Sequence, residues 1–309
     1  MSVLYLHDLK VRITSMNKIM YALMNYQIKK FSEKQVELSI GSDILLEKDI
    51  LYLNDNTKEH SLDYMSPLNC ALIDKLPLII NIHGGGFCTG DKCINSYYAA
   101  SLVEMGYQVV VLNYQLAPAA NLKMQVQDVI NGICYAVKHY NHRSGLFLTA
   151  DSLGAYLTTL ICCIWNDVTL QKIYDVIIPD CIITAVGLTG TPNTIDIYPH
   201  LLKSFKNENR RVLLNQCSEI ENYIEIKKIW NEKVPPLFLM SCKDDTFYKN
   251  VLQFDAWLTS IGAKHDSYYC DRVKGKKLFH CFNVIRPDWE LSIEMNKKNC
   301  HFMTELIKK

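Results

Sequence analysis

Six short runs rich in apolar and aromatic residues limit the folds open to this chain more than any other feature. They are LPLIINI (76–82), YQVVVLNY (107–114), GLFLTA (145–150), CIITAVGL (181–188), PPLFLMS (235–241) and DSYYCD (266–271). Helical-period sequence separates them. Strands that are apolar throughout are buried on both faces, and in alternation with helices they build a mostly parallel sheet covered on each side. Upstream, VELSIGSDILLEKDILYLN (36–54) alternates apolar and polar residues about a Gly-Ser-Asp turn, which predicts an antiparallel hairpin or meander. Residues 1–34 read as a helix with an apolar stripe at Ile13, Met16, Ile19, Met20, Leu23 and Met24. Residues 191–233 break the strand–helix rhythm. They are polar, contribute no clear strand, and read as an insertion over the sheet's edge.

Composition narrows the function. The 309 residues carry a net charge of +1, which gives no basic surface for nucleic acid. The longest apolar run, AYLTTLICCIW (155–165), is far short of the roughly 20 residues a bilayer span needs and reads as a buried helix. No stable membrane association is expected. The N-terminus lacks the unbroken apolar core of a secretory signal. Twelve cysteines are scattered without a C-x-x-C spacing, several inside apolar runs, as with Cys162, Cys163 and Cys181. Buried reduced thiols, and so a cytoplasmic location, are the reading they favour. No phosphate-cradling or dinucleotide glycine loop is present, and the H-x-x-H at His139 and His142 has no third ligand nearby. Neither cofactor nor metal is expected. Pairing of two copies is left open.

The chemistry-bearing residues follow the strands, where ligands of a parallel sheet bind. Ser152 lies in A-D-S-L-G, directly after the strand 145–150 and before an apolar helix. In a tight strand-to-helix turn the flanking positions must be small, and the serine hydroxyl is pushed outward. Such a serine needs a base, and the base needs an orienting carboxylate. Asp244 and Asp245 stand just past the strand 235–241, and His280 lies in a loop before the C-terminal helix, giving the chain order Ser, Asp, His. The triplet Gly84, Gly85 and Gly86 follows the strand 76–82. Side chains there would keep amides from a substrate, so Gly85 and Gly86, with the amide of Leu153, are expected to hold an oxyanion. Asp151 is expected to brace the serine turn, and His83 to anchor the glycine loop.

These pieces together resemble the hormone-sensitive-lipase-like branch of the α/β-hydrolase esterases. The matching segments are HGGGF (83–87) with Gly90, NYQLAP (113–118), QDV around Asp128, DSLGA, the strand end at Asp244 and the loop at His280. The resemblance covers about residues 76–285. It implies an α/β-hydrolase fold in a single domain over 1–309, with about eight mostly parallel strands and a helical cap, the cap falling on 1–34 and 191–233. The family's spacing, counted from Ser241, selects Asp244 as the triad acid over Asp245. Two family charges are absent, since Gln115 and Ala119 stand where Arg and Glu are common. Leu153 is bulkier than the usual alanine and is expected to narrow the acyl pocket.

The expectation is therefore a cytoplasmic serine carboxylesterase acting on a small-molecule ester of short acyl chain. Its triad is Ser152, Asp244 and His280, and its oxyanion hole is Gly85, Gly86 and Leu153. The alternatives are a peptidase or amidase of the same fold, and a ligand-binding protein on a hydrolase scaffold with little turnover.

Overall fold

The computed structural model describes residues 15–192, 194–195 and 210–308, with side chains in the first helix at 22 and from 25 onward. The stripe expected on residues 13–24 lies outside what is described. Eight strands form one sheet in the order β1-β2-β4-β3-β5-β6-β7-β8. They are β1 Ile44–Leu51, β2 Ser61–Pro67, β3 Leu78–Ile82, β4 Gln108–Leu112, β5 Leu146–Asp151, β6 Ala185–Thr189, β7 Leu237–Cys242 and β8 His265–Cys270. From β4 to β8 every pairing is parallel, while β1–β2 and β2–β4 are antiparallel. The described helices are α1 Ser15–Lys34, α2 Ser96–Glu104, α3 Leu122–His139, α4 Ser152–Trp165, α5 Val168–Tyr174, α6 Ile226–Ile229, α7 Tyr248–Ser260, α8 Phe282–Ile285 and α9 Glu290–Ile307. This is the mostly parallel, covered sheet that the apolar runs predict, in the α/β-hydrolase arrangement that the family resemblance implies.

Strand alternation builds the two cores. Leu78, Ile80 and Ile82 of β3 and Val110 and Leu112 of β4 pack among residues of α3, α4 and α5. Ile79, Val109 and Val111 point the other way, toward α2 and α9. Helix α4 is buried along its length from Leu153 to Trp165, as its unbroken apolar sequence requires.

The antiparallel hairpin or meander expected over 36–54 does not form within those residues, which hold only one strand. Residues 36–40 are not a strand, and the partner of β1 is β2, paired from Ile44↔Pro67 to Leu51↔Ser61. The sequence SLDYMSP conceals a buried strand because it contains Asp63, which is 2% exposed. That charge is matched by Lys92 Nζ at 2.8 Å, and Lys92 also reaches Asp49 at 2.6 Å. Removing one partner of such a buried pair typically costs about 3–5 kcal/mol.

Residues 210–233 of the insertion pack on helices rather than along the sheet's edge. The Tyr156 hydroxyl on α4 donates to the Ile224 carbonyl, and the Tyr174 hydroxyl on α5 donates to the Tyr223 carbonyl at 3.0 Å. Ile220, Ile224 and Ile226 are buried in the same core.

Strand register delivers the site. Ile82 pairs with Ala150, so His83 leaves the sheet beside Asp151 and Ser152. Asp151 pairs with Thr189, and Thr189 with Met240, so Gly190 and the end of β7 arrive alongside. Since β4 and β5 lie on opposite sides of β3, the chain reverses its winding there, and the crevice at such a reversal is where this class of sheet binds ligands.

Candidate active site

Ser152 occupies the turn between β5 and α4 with φ of 51°, a left-handed conformation that costs a non-glycine residue roughly 1–2 kcal/mol. The neighbours explain why small residues are needed. A Cβ on Gly154 would sit 2.4 Å from the His83 carbonyl oxygen, and one on Gly84 would sit 2.8 Å from Ser152 Cβ. Strand and glycine loop thus approach within backbone contact, and the serine hydroxyl is directed into the space between them.

His280 meets that hydroxyl. Its Nε2 lies 2.8 Å from Ser152 Oγ, which donates to it, and its Nδ1 donates to Asp245 Oδ1 at 2.8 Å. Asp245, not Asp244, is therefore the carboxylate on the imidazole. The Asp245 side chain is 1% exposed, whereas Asp244 turns outward to Arg272 Nε at 3.2 Å. The cause is one residue of strand. β7 continues through Cys242, one position past Ser241, so the same spacing counted from the true strand end selects Asp245. The Asp245 amide closes the turn on the Cys242 carbonyl at 2.9 Å. Its carboxylate then accepts the Phe247 amide at 2.7 Å and the Ser241 hydroxyl at 3.3 Å.

The electrostatics agree with the geometry. Burial pushes the Asp245 carboxyl up, but the charge and hydrogen bond of His280, with the Phe247 and Ser241 donors, outweigh it and hold the group below the usual carboxylate range. Burial likewise opposes charge on His280. The charge and hydrogen bond of Asp245, joined by the charge of Asp151, reverse this and raise the imidazole above its ordinary value. A base of raised strength facing a hydroxyl is suited to taking its proton.

The glycine loop lines the other wall. Gly85 and Gly86 have φ of 123° and 67°, open to glycine and costly for other residues. The Gly85 carbonyl is tied back by the Cys88 and Thr89 amides and the Thr89 hydroxyl. The amides of Gly85 and Gly86 donate to no backbone carbonyl among the described residues. Leu153, in the first turn of α4, likewise has no intrahelical acceptor for its N–H. His83 Nδ1 donates to the Gly84 carbonyl at 2.6 Å, Tyr114 stacks on its ring at 4.6 Å, and the Tyr114 hydroxyl donates to its carbonyl at 2.8 Å. Burial lowers the His83 imidazole, so it remains neutral as a loop anchor. Asp151 accepts the Gly84 amide and the Asn95 side-chain amide.

A cavity of about 60 Å³ opens between these walls. Leu153, Ile94, Phe247 and Ile285 make it apolar, and Ile28 and Phe31 of α1 lie over it. Phe31 in turn stacks on Phe279, next to His280, at 6.0 Å. Of the two segments expected as cap, α1 thus touches the cavity, and no described residue of 191–233 lines it.

Three participants escaped the sequence reading. Gly190, φ 57°, admits no Cβ, which would lie 2.8 Å from His280 Cε1 and 2.9 Å from Asp245 Oδ2. Cys281 places Sγ 3.4 Å from His280 Nε2, yet burial pushes its thiol well up, so it stays protonated. Asn95 is the third. The Gly after the apolar run 181–188 was a readable signal for the first; the other two had none. All twelve cysteines are free thiols. No described helix is long and apolar enough to cross a membrane.

Comparison with known proteins bears on this site. A family model, BD-FAE, matches residues 47–248. Kynurenine formamidase of Salmo salar is 26% identical over 151 residues, 43% of this chain and 51% of that protein. Esterase LipQ of Mycobacterium tuberculosis is 24% identical over 229 residues, 68% of this chain and 52% of that protein. The chain thus spans about half the length of these two curated relatives. Among solved structures, esterase B from Lactobacillus Rhamnosis superposes with a TM-score of 0.88 at 21% identity, covering 95% of each chain. At that identity the likeness speaks for the fold.

Proposed function

The chain belongs to the BD-FAE family, and on that footing we propose that it is a serine carboxylesterase with Ser152, His280 and Asp245 as its triad. One observation carries the reading: the unbroken hydrogen-bond chain from Ser152 Oγ through both nitrogens of His280 to Asp245, each link 2.8 Å. His280 Nε2 takes the serine proton as Oγ attacks the acyl carbon. The carbonyl π pair moves onto oxygen, which the amides of Gly85, Gly86 and Leu153 receive. Loss of one such donor typically costs about 2.7–4 kcal/mol. As the oxyanion collapses, the C–O bond to the alcohol breaks and His280 returns the proton to the leaving oxygen. Asp245 fixes the tautomer and balances the imidazolium in between. Water then repeats the sequence on the acyl-enzyme. The small apolar cavity under Leu153, Phe247 and α1 favours a short acyl group.

A second reading, amide hydrolysis by the same groups, has one specific support, the similarity to kynurenine formamidase. Nitrophenyl esters of increasing chain length and an N-formyl aromatic amide separate the two. The carboxylesterase reading expects turnover to peak at short-chain esters and to vanish in Ser152→Ala. Faster turnover of the formamide would replace it with the second reading. No turnover of either, with no Ser152 adduct from a fluorophosphonate, would leave a binding protein on a hydrolase scaffold.

A further inference from the structure

The side chain of Asn95 is 1% exposed and stands beside the reacting groups, yet the triad mechanism does not use it. Its Nδ2 donates to two acceptors at once, Asp151 Oδ1 at 2.7 Å and Asn81 Oδ1 at 2.8 Å. The Asn81 amide nitrogen donates to Thr149 on β5, at 3.0 Å to the hydroxyl and 3.3 Å to the carbonyl. These donors and acceptors fix the direction of the whole chain. Flipping the Asn95 amide would set its oxygen against a carboxylate and a carbonyl oxygen, so Nδ2 must face Asp151. The other side of Asp151 accepts the Gly84 amide, and its Oδ2 lies where a Gly84 Cβ would be, 2.5 Å away. Asp151 therefore bridges the glycine loop to the residue before the nucleophile, and Asn95 holds the bridge.

The backbone that leads into Asn95 is held from three sides. The Lys92 amide donates to Asn113 Oδ1 at 2.7 Å, the Lys92 ammonium is paired with buried Asp63, and Gln35 at the end of α1 donates to the Ile94 carbonyl at 2.8 Å. A side chain carried on backbone anchored this firmly can impose a position on Asp151 through Nδ2 rather than follow it.

We propose that Asn95 is a positioning residue for ester hydrolysis, which sets the glycine-loop amides against Ser152 by holding the Asp151 carboxylate that joins them. The proposal rests on the esterase reading above. Burial pushes the Asp151 carboxyl up, and the Asn95 donor leads the groups that pull it back down. The titratable groups around Asp151 are His83 from the end of β3, Tyr98 on α2, Tyr114 after β4, and His280 and Cys281 from the last loop.

Two variants test it. Asn95→Ala removes the donor, and we expect kcat for a short-chain nitrophenyl ester to fall roughly 10- to 100-fold with KM within about threefold, because the loss is one of alignment in the transition state. Asn95→Asp can donate only while its new carboxyl is protonated, and beside Asp151 the two groups share a proton until the pH is high. Its kcat, as a fraction of the wild-type value at each pH, should therefore approach wild type at low pH and fall toward Asn95→Ala as pH rises. A folded Asn95→Ala with wild-type kcat overturns the proposal, as does a rise in KM alone. If Asn95→Ala does not fold, Asn95→Asp decides, and a pH-independent ratio overturns it. Wild-type inactivity on every ester would instead remove the esterase reading itself.

Discussion

Two of the clusters that set carboxylates against an imidazole among the described residues are instructive together, because only one of them also presents its imidazole to a hydroxyl. In the site, His280 faces Asp245 on one nitrogen and the Ser152 hydroxyl on the other. Near the antiparallel edge, His60 faces Asp55 Oδ2 at 2.6 Å on one nitrogen and Asp128 Oδ1 at 3.1 Å on the other. Both imidazoles are largely buried, so burial does not separate them. The second partner does. With a carboxylate at each nitrogen, His60 has none left to face a hydroxyl. The carboxylates differ as well. Asp245 is held below its ordinary range by its donors, while burial lifts Asp128 to about 6 in spite of the Gln115 amide and His60. The Asp128 cluster secures the NYQLAP loop, since its Oδ2 accepts the Gln115 amide at 3.0 Å. A histidine–aspartate pair thus gains chemistry only from what completes it.

The comparison can be broken first at the triad acid. Asp245→Asn should lower kcat by roughly 10⁴-fold, because the amide favours the wrong tautomer of His280. Asp244→Asn, one residue away and paired to Arg272, should change it by less than about threefold. Similar losses in both would remove the distinction between the neighbours. Gly190→Ala comes next. Its methyl would press on His280 and Asp245 together, and a displacement of about 1 Å is worth roughly 10²-fold in rate. An unaltered kcat would show that the pair tolerates the intrusion.

The smallest effect sharpens the other cluster. Asp128→Asn should leave kcat/KM within about twofold and change how stability depends on pH. Because the folded carboxyl is raised, its contribution is full below the ordinary value of about 4 and is lost as pH rises through about 6. Wild type minus Asp128→Asn, measured by urea unfolding, should decline across that window. A flat difference would contradict the assignment.

What the sequence disclosed follows from how local each signal is. The serine turn and the glycine triplet are contiguous, and steric need writes itself into adjacent residues, so Ser152, Gly85, Gly86 and Leu153 could be placed before any coordinates. The triad acid depends on where β7 ends, a property of its ladder with β6 and β8, and a one-residue error there exchanged Asp245 for Asp244. β2 was missed because Asp63 disguises it until Lys92 is brought across from a distant loop. Asn95 owes its importance to Asp151, 56 positions away, and nothing beside it in the chain announces it; Gly190 serves His280, 90 positions away, and its one local signal is its place after the apolar run 181–188.

The direct test of the central claim is the rate and position of fluorophosphonate labelling, read by intact mass and peptide mapping in wild type, Asp244→Asn, Asp245→Asn and His280→Ala. The account predicts one adduct, on Ser152, forming at near-equal rates in wild type and Asp244→Asn and far more slowly in the other two. An adduct elsewhere, or labelling of Ser152 that persists undiminished without His280 and Asp245, would contradict it.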